Sequence, residues 1–138
     1  MGMRYLLDSH AFIWLTNTSR RLPEQLRSHL LLTTQRLLVS SVSAMEVSTK
    51  YHLGKWPEVA PLVSLGDWMQ TLHLFQADAL PVTTEHALLA GSLDWSHKDP
   101  FDRLLAAQAM VEDVPLVSAD TAFSSLPGLK VVWADPGI

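Results

Sequence analysis

The stretch Met3-Arg4-Tyr5-Leu6-Leu7-Asp8-Ser9-His10-Ala11-Phe12-Ile13-Trp14-Leu15 decides the fold. Met3–Leu7 is a short, nearly continuous apolar run, the pattern of a strand buried on both faces of a parallel sheet. Asp8-Ser9 ends it, and Ala11–Leu15 reads as helix. Outward from there the alternation repeats. A helix is expected from Pro23, a favoured first helical residue, to about Leu32, then a strand over Leu37–Ser40. Val42–Leu53 reads as a helix stopped by Gly54, Pro61–Phe75 as another around Trp68, and Leu80–Val82 as a short strand. Thr84–Leu93 is helical, Asp94–Lys98 is a polar loop, and Pro100 to about Val111 is a well-marked helix. Pro115–Ser118 and Lys130–Trp133 complete the strands. Such alternation predicts an α/β fold, a three-layer α/β/α sandwich on a mainly parallel central sheet.

Composition sets the outer bounds. A length of 138 residues suits a single domain spanning 1–138. An apolar content of 48% against 17% charged excludes disorder and leaves apolar surface that a partner could cover. Without Cys there is no disulfide framework, no thiolate zinc site and no thiol nucleophile. No apolar run approaches the ~18 residues of a membrane span, and Met1–Asp8 lacks a secretory pattern. A cytoplasmic, membrane-free protein is the expectation. The net charge of −4 argues against electrostatic coating of nucleic acid. Setting four of the fourteen acids aside, however, leaves acids and bases equal at ten, so placement matters more than total.

Placement is informative. Asp8 follows the first strand, Glu46 lies early in the helix after the second, and Asp120 follows Pro115–Ser118. In an open parallel sheet all strand exits lie at one edge, where ligands bind. Asp8, Glu46 and Asp120 therefore converge, and Asp99 or Asp102 joins them if the loop before their helix crosses that edge. Each acid also has a plain structural use. Ser43-Ala44-Met45-Glu46 fits a capping box, Asp99-Pro100-Phe101-Asp102 fits an N-cap with proline behind it, and Asp8 and Asp120 can each cap a following helix. For a single acid capping is the better reading; for four at one edge it is not. Carboxylates so gathered repel one another unless a hard cation joins them. Oxygen ligands without Cys or paired His select Mg²⁺, with Mn²⁺ as substitute. The matching chemistry is phosphodiester cleavage by activated water, with one ion or with two about 4 Å apart.

Four segments carry a family resemblance: Tyr5–His10, Ser40–Glu46, His97-Lys98-Asp99-Pro100-Phe101-Asp102-Arg103 with its Leu-Leu-Ala-Ala continuation, and Leu116–Asp120. Over nearly the whole chain they resemble PIN-domain ribonucleases, most closely VapC-type toxins of toxin–antitoxin pairs. The resemblance implies an α/β/α sandwich and an Mg²⁺-dependent endoribonuclease site of Asp8, Glu46, Asp102 and Asp120. Asp99, three residues before Asp102, is then either a ligand or a group behind the ligands. Ser9 and Ser118 stand where the family often has a hydroxyl beside the metal. The resemblance also implies an RNA substrate, a cognate antitoxin and a homodimer.

The remaining residues are read more plainly. None of the six histidines forms a close ligand pair; His97, ahead of the acid-bearing helix, has the best claim to contact phosphate. Arg103 could bridge to a carboxylate or RNA phosphate, surface ion pairing being the simpler fate. Trp14, Leu30–Leu32, Trp56 and Trp68 are either core or the lining of a groove for an amphipathic partner helix. No aromatic-rich basic stripe is visible, so RNA is expected to be held by metal-bound phosphate and scattered bases such as Arg4, Arg20, Arg21, Lys50, Lys55 and Lys98. An aspartyl-phosphate enzyme wants a second acid at position 10, where His10 stands. A receiver-like Mg²⁺-binding module wants paired acids at the first strand, where Asp8 is alone. A PIN-like scaffold that binds a partner without catalysis remains the third alternative.

Overall fold

Tyr5, Leu6 and Leu7 are all at most 1% exposed, which only a strand covered on both faces can achieve. They belong to β1 (Arg4–Leu7), the centre of a five-stranded sheet in a computed structural model that describes residues 2–133. The strand order is β3-β2-β1-β4-β5, with β2 at Arg36–Ser40, β3 at Ala77–Leu80, β4 at Leu116–Val117 and β5 at Val131–Val132. Every pairing is parallel, and Leu6 stands beside Leu38 on one side and Leu116 on the other.

Period-two alternation splits the interior into two cores. Tyr5, Leu7, Leu37, Val39 and Val117 point to one face. There they meet α1 (Ser9–Thr16), α2 (Glu24–Leu30), Val47 of α3 (Ser41–His52), and Trp68 and Leu72 of α4 (Leu65–Leu74). Leu6, Leu38 and Leu116 point to the other, against Leu105, Ala106 and Ala109 of α6 (Pro100–Glu112), with Val42, Trp95 and Phe123. The helix α5 (Thr84–Ser92) packs on α6. The fold is thus the expected three-layer α/β/α sandwich, and its central sheet is parallel throughout. No helix among the described residues is long and apolar enough to cross a membrane.

Two expectations are corrected. The single helix over Pro61–Phe75 is a 3-10 segment, Pro57–Leu62, followed by α4. The break comes at Ser64, whose hydroxyl oxygen accepts from the Asp67 N–H and caps α4 afresh. The strand placed at Leu80–Val82 is β3, three residues earlier in its start, because Pro81 has no N–H to offer a ladder. Elsewhere the elements differ from expectation by a few residues at their ends, Pro23 for instance serving as N-cap of α2.

Four helical segments begin where the sheet ends. Asp8 caps α1, Ser40 caps α3, Asp99 caps α6 ahead of Pro100, and Asp120 caps a 3-10 segment, Thr121–Ser125. After β3 the chain returns past β1 to place β4 on its far side, so the sheet changes winding direction between β1 and β4. A crevice at the carboxyl ends of those strands follows from that change.

Candidate active site

Asp8, Glu46, Asp99, Asp102 and Asp120 line one cavity of about 140 Å³ at that edge, together with Ser9, His10, Lys50 and Leu105. The convergence expected from strand positions is present, and the either-or between Asp99 and Asp102 resolves to both. His97 and Ser118 stand behind these residues, in contact with Asp102 and with Asp8 and Asp120.

Each aspartate that caps a helix spends one oxygen on doing so. Asp8 Oδ1 accepts from the Ala11 N–H at 2.8 Å, Asp99 Oδ1 from the Phe101 N–H at 2.9 Å, and Asp120 Oδ1 from the Ala122 N–H at 2.9 Å. The capping use and the site use therefore coexist in one carboxylate, with Oδ2 not taken by the cap. Glu46 differs. The helix starts three residues before the expected capping box, at Ser40, so Glu46 sits in the second turn and reaches no cap amide. Its Oε1 accepts from the Ser9 hydroxyl at 2.6 Å and its Oε2 from the Lys50 ammonium at 2.7 Å.

The charges strain against their surroundings. Burial pushes the Asp8 carboxyl up to about 6, with the Glu46 and Asp102 charges adding to the rise while bonds from Ser118 and Ala11 oppose it. Asp102 is raised for the same leading reason, burial, with Asp99 and Glu46 adding and His97 opposing. Ser118 Oγ accepts the Asp120 N–H at 3.0 Å, which leaves its own proton for Asp8. The His10 ring is lowered, by desolvation first and the Lys50 charge second.

His97 Nε2 donates to Asp102 Oδ2 at 2.7 Å, and its ring lies against Trp95 at 4.8 Å between centroids. One sequence expectation changes. Arg103 makes no surface ion pair among the described residues. Its guanidinium donates to the carbonyls of Ala90, Leu93, Trp95 and His97 at 2.8–2.9 Å, closing the end of α5 and the loop into α6. Four of the five N–H donors of this fork are spent on carbonyls, so its main role is to hold the turn. Nor do the tryptophans form a common partner groove, since Trp56 and Trp68 lie in the core while Leu31 and Leu32 are exposed elsewhere. Lys50, expected only as one of the scattered RNA-holding bases, lines the cavity paired with Glu46, a pairing that the spacing of four on a helix signals, and His10 in the cavity was missed.

The donor set suits a hard divalent cation. It is all oxygen, drawn from four chain segments, and burdened with buried like charge that such an ion would relieve. Among the described residues no three of these side chains already stand as a closed ligand shell. The hydrogen bonds give the reason: Glu46 is held by Ser9 and Lys50, and Asp102 by His97.

Comparison with solved structures finds the same architecture in toxin–antitoxin complexes. A chain of VapBC2 from Rickettsia felis bound to promoter DNA is 19% identical, with a TM-score of 0.67 over 95% of this chain and 99% of that one. A chain of DNA-bound VapBC from Salmonella typhimurium is 19% identical, TM-score 0.68, over 94% and 97%. One of VapBC-1 from nontypeable Haemophilus influenzae is 18% identical, TM-score 0.62, over 96% and 98%. At such identities the likeness is one of fold. No curated protein matches the sequence. The family model of the PIN domain matches residues 5–129, and the chain belongs to the PIN-domain family.

Proposed function

We propose that this chain is a VapC-type toxin, an endoribonuclease that depends on Mg²⁺ and is restrained by a cognate antitoxin. The observation that carries the reading is the meeting of five carboxylates around one small cavity at the carboxyl edge of a parallel sheet. Membership of the PIN family and a fold shared with chains of toxin–antitoxin complexes support it. Asp8, Glu46, Asp102 and Asp120 would hold the ion, with Asp99 beside them. An ion so held supplies Lewis-acid activation of water and neutralises charge at a phosphodiester. Ser9 orients Glu46, Ser118 ties Asp8 to Asp120, and His97 fixes the rotamer of Asp102; these are positioning residues. Buried Leu105 gives the cavity an apolar wall among the carboxylates. A homodimer and a cytoplasmic setting accompany the toxin reading.

Purified protein incubated with labelled RNA is expected to cleave it with Mg²⁺ and not with chelator. Asp8→Asn and Asp102→Asn are each expected to lower the rate by at least about a hundredfold, the scale on which removing a charge-stabilising group acts. Undiminished cleavage by both variants overturns the proposal.

A further inference from the structure

Beside the acidic cavity runs a ladder of rings and cations that the sequence does not reveal, because its members come from two stretches of chain, 10–21 and 50–56. Lys50 Nζ lies 5.7 Å from the Trp56 ring centroid. Trp56 stacks on His10 at 4.6 Å with 28° between planes. His10 meets Trp14, one helical turn on along α1, at 5.4 Å. Arg21, in the turn after α1, places its guanidinium carbon 5.8 Å from the Trp14 ring. Every link is therefore under 6 Å, and two members, Lys50 at one end and His10 at the middle, line the cavity itself.

Packing explains only part of this. Trp56 is buried, and its Nε1 donates to Glu58, so it acts as a backing plate. The His10 imidazole that it supports is exposed, and Trp14 is half-exposed. Lys50 is accounted for by Glu46, but Arg21 has no carboxylate partner among the described residues. An exposed ring braced from behind, with a cation at either end, is the arrangement by which proteins hold unpaired nucleotides: bases stack on the rings while the cations follow the backbone. A duplex cannot use it, because its bases are already stacked on one another.

We propose that the ladder Lys50–Trp56–His10–Trp14–Arg21 is the track along which single-stranded RNA enters the cavity, with one base stacked on His10 next to the reacting phosphate. The proposal rests on the nuclease reading for its direction, yet it is tested apart from cleavage. The binding of a short fluorescent single-stranded oligoribonucleotide is measured in low salt with chelator present, where hydrolysis plays no part.

His10→Ala is expected to weaken binding about tenfold, and His10→Phe, which keeps a ring, to restore it. Arg21→Met and Lys50→Met are each expected to lower the slope of log affinity against log salt by about 0.7. A duplex of the same sequence is expected to bind with no response to His10→Ala. The track is overturned if wild-type protein fails to bind the single strand, if His10→Ala binds as wild type, if His10→Phe is no better than His10→Ala, or if the duplex responds equally. Binding that depends on the ladder without cleavage in Mg²⁺ would remove the nuclease reading and keep the track; cleavage with binding independent of the ladder would do the reverse.

Discussion

Asp8 serves two ends that conflict at neutral pH. As an N-cap it stabilises α1, yet as a buried carboxylate facing Glu46 and Asp102 it costs the fold energy once ionised. A carboxyl held at about 6 binds its proton more tightly in the folded chain than in the unfolded one. The stabilisation it gives is complete below pH ~4 and is lost as pH rises through 6, on the order of 2–3 kcal/mol in all. Asp102 shifts in the same direction. Asn keeps the cap without the charge. Metal-free Asp8→Asn is therefore expected to be more stable than wild type at pH 7 and no more stable at pH 4, as urea titrations at the two pH values would show. Arg103 illustrates the opposite case. Its replacement by Ala leaves four carbonyls of the 90–97 turn without their donor, and a loss of about 2–4 kcal/mol in denaturant unfolding is expected. Lysine cannot span the fork and should recover little. The acids were legible because their place after strands is written in the sequence; Arg103 was not, because its acceptors are backbone carbonyls, which no residue type announces.

Among the elements, those fixed by hydrophobic period or by a cap with proline behind it were legible, and a cap inside an apolar stretch was not. The run of β1 and the Asp99-Pro100 start of α6 identify themselves. By contrast, Ser64-Leu65-Gly66-Asp67 carries the cap that divides the expected 61–75 helix, and the apolar pattern around Trp68 obscures it. Weakest of all was β3, Ala-Asp-Ala-Leu, with no β-branched residue and both faces largely open; only its pairing with β2 makes it a strand. Between α4 and β3 the chain turns at Gln76, whose φ of 53° is left-handed. A side chain there costs about 1 kcal/mol that glycine avoids. Gln76→Gly is expected to raise the unfolding midpoint, less whatever the freer unfolded chain takes back; a lowered midpoint would mean the Gln76 side chain holds the turn.

At the scale of the whole molecule, the sequence specified layers but not strand order. Nothing in β1 to β5 states that β4 and β1 are neighbours; that follows from which apolar faces fit, Leu6 against Leu116 on one side and Leu7 against Val117 on the other. The order matters because it brings Asp120 and Ser118 alongside Asp8. A ligand that bridges acids from four segments should consequently brace the entire fold. Magnesium is expected to raise the melting temperature of the wild type in a dose-dependent way, and Asp102→Asn to shift that response to higher concentration. An identical response in the variant would place the ion elsewhere.

The outer strand β3 has a quieter consequence. Its free side would offer a neighbouring chain a row of amides and carbonyls, yet it is only four residues long, is closed by Pro81, and carries the Asp78 carboxylate paired with Arg36 across the strands. At the far margin β5 is shorter still. A polypeptide with nearly half its residues apolar is thereby kept from growing, sheet by sheet, into fibres.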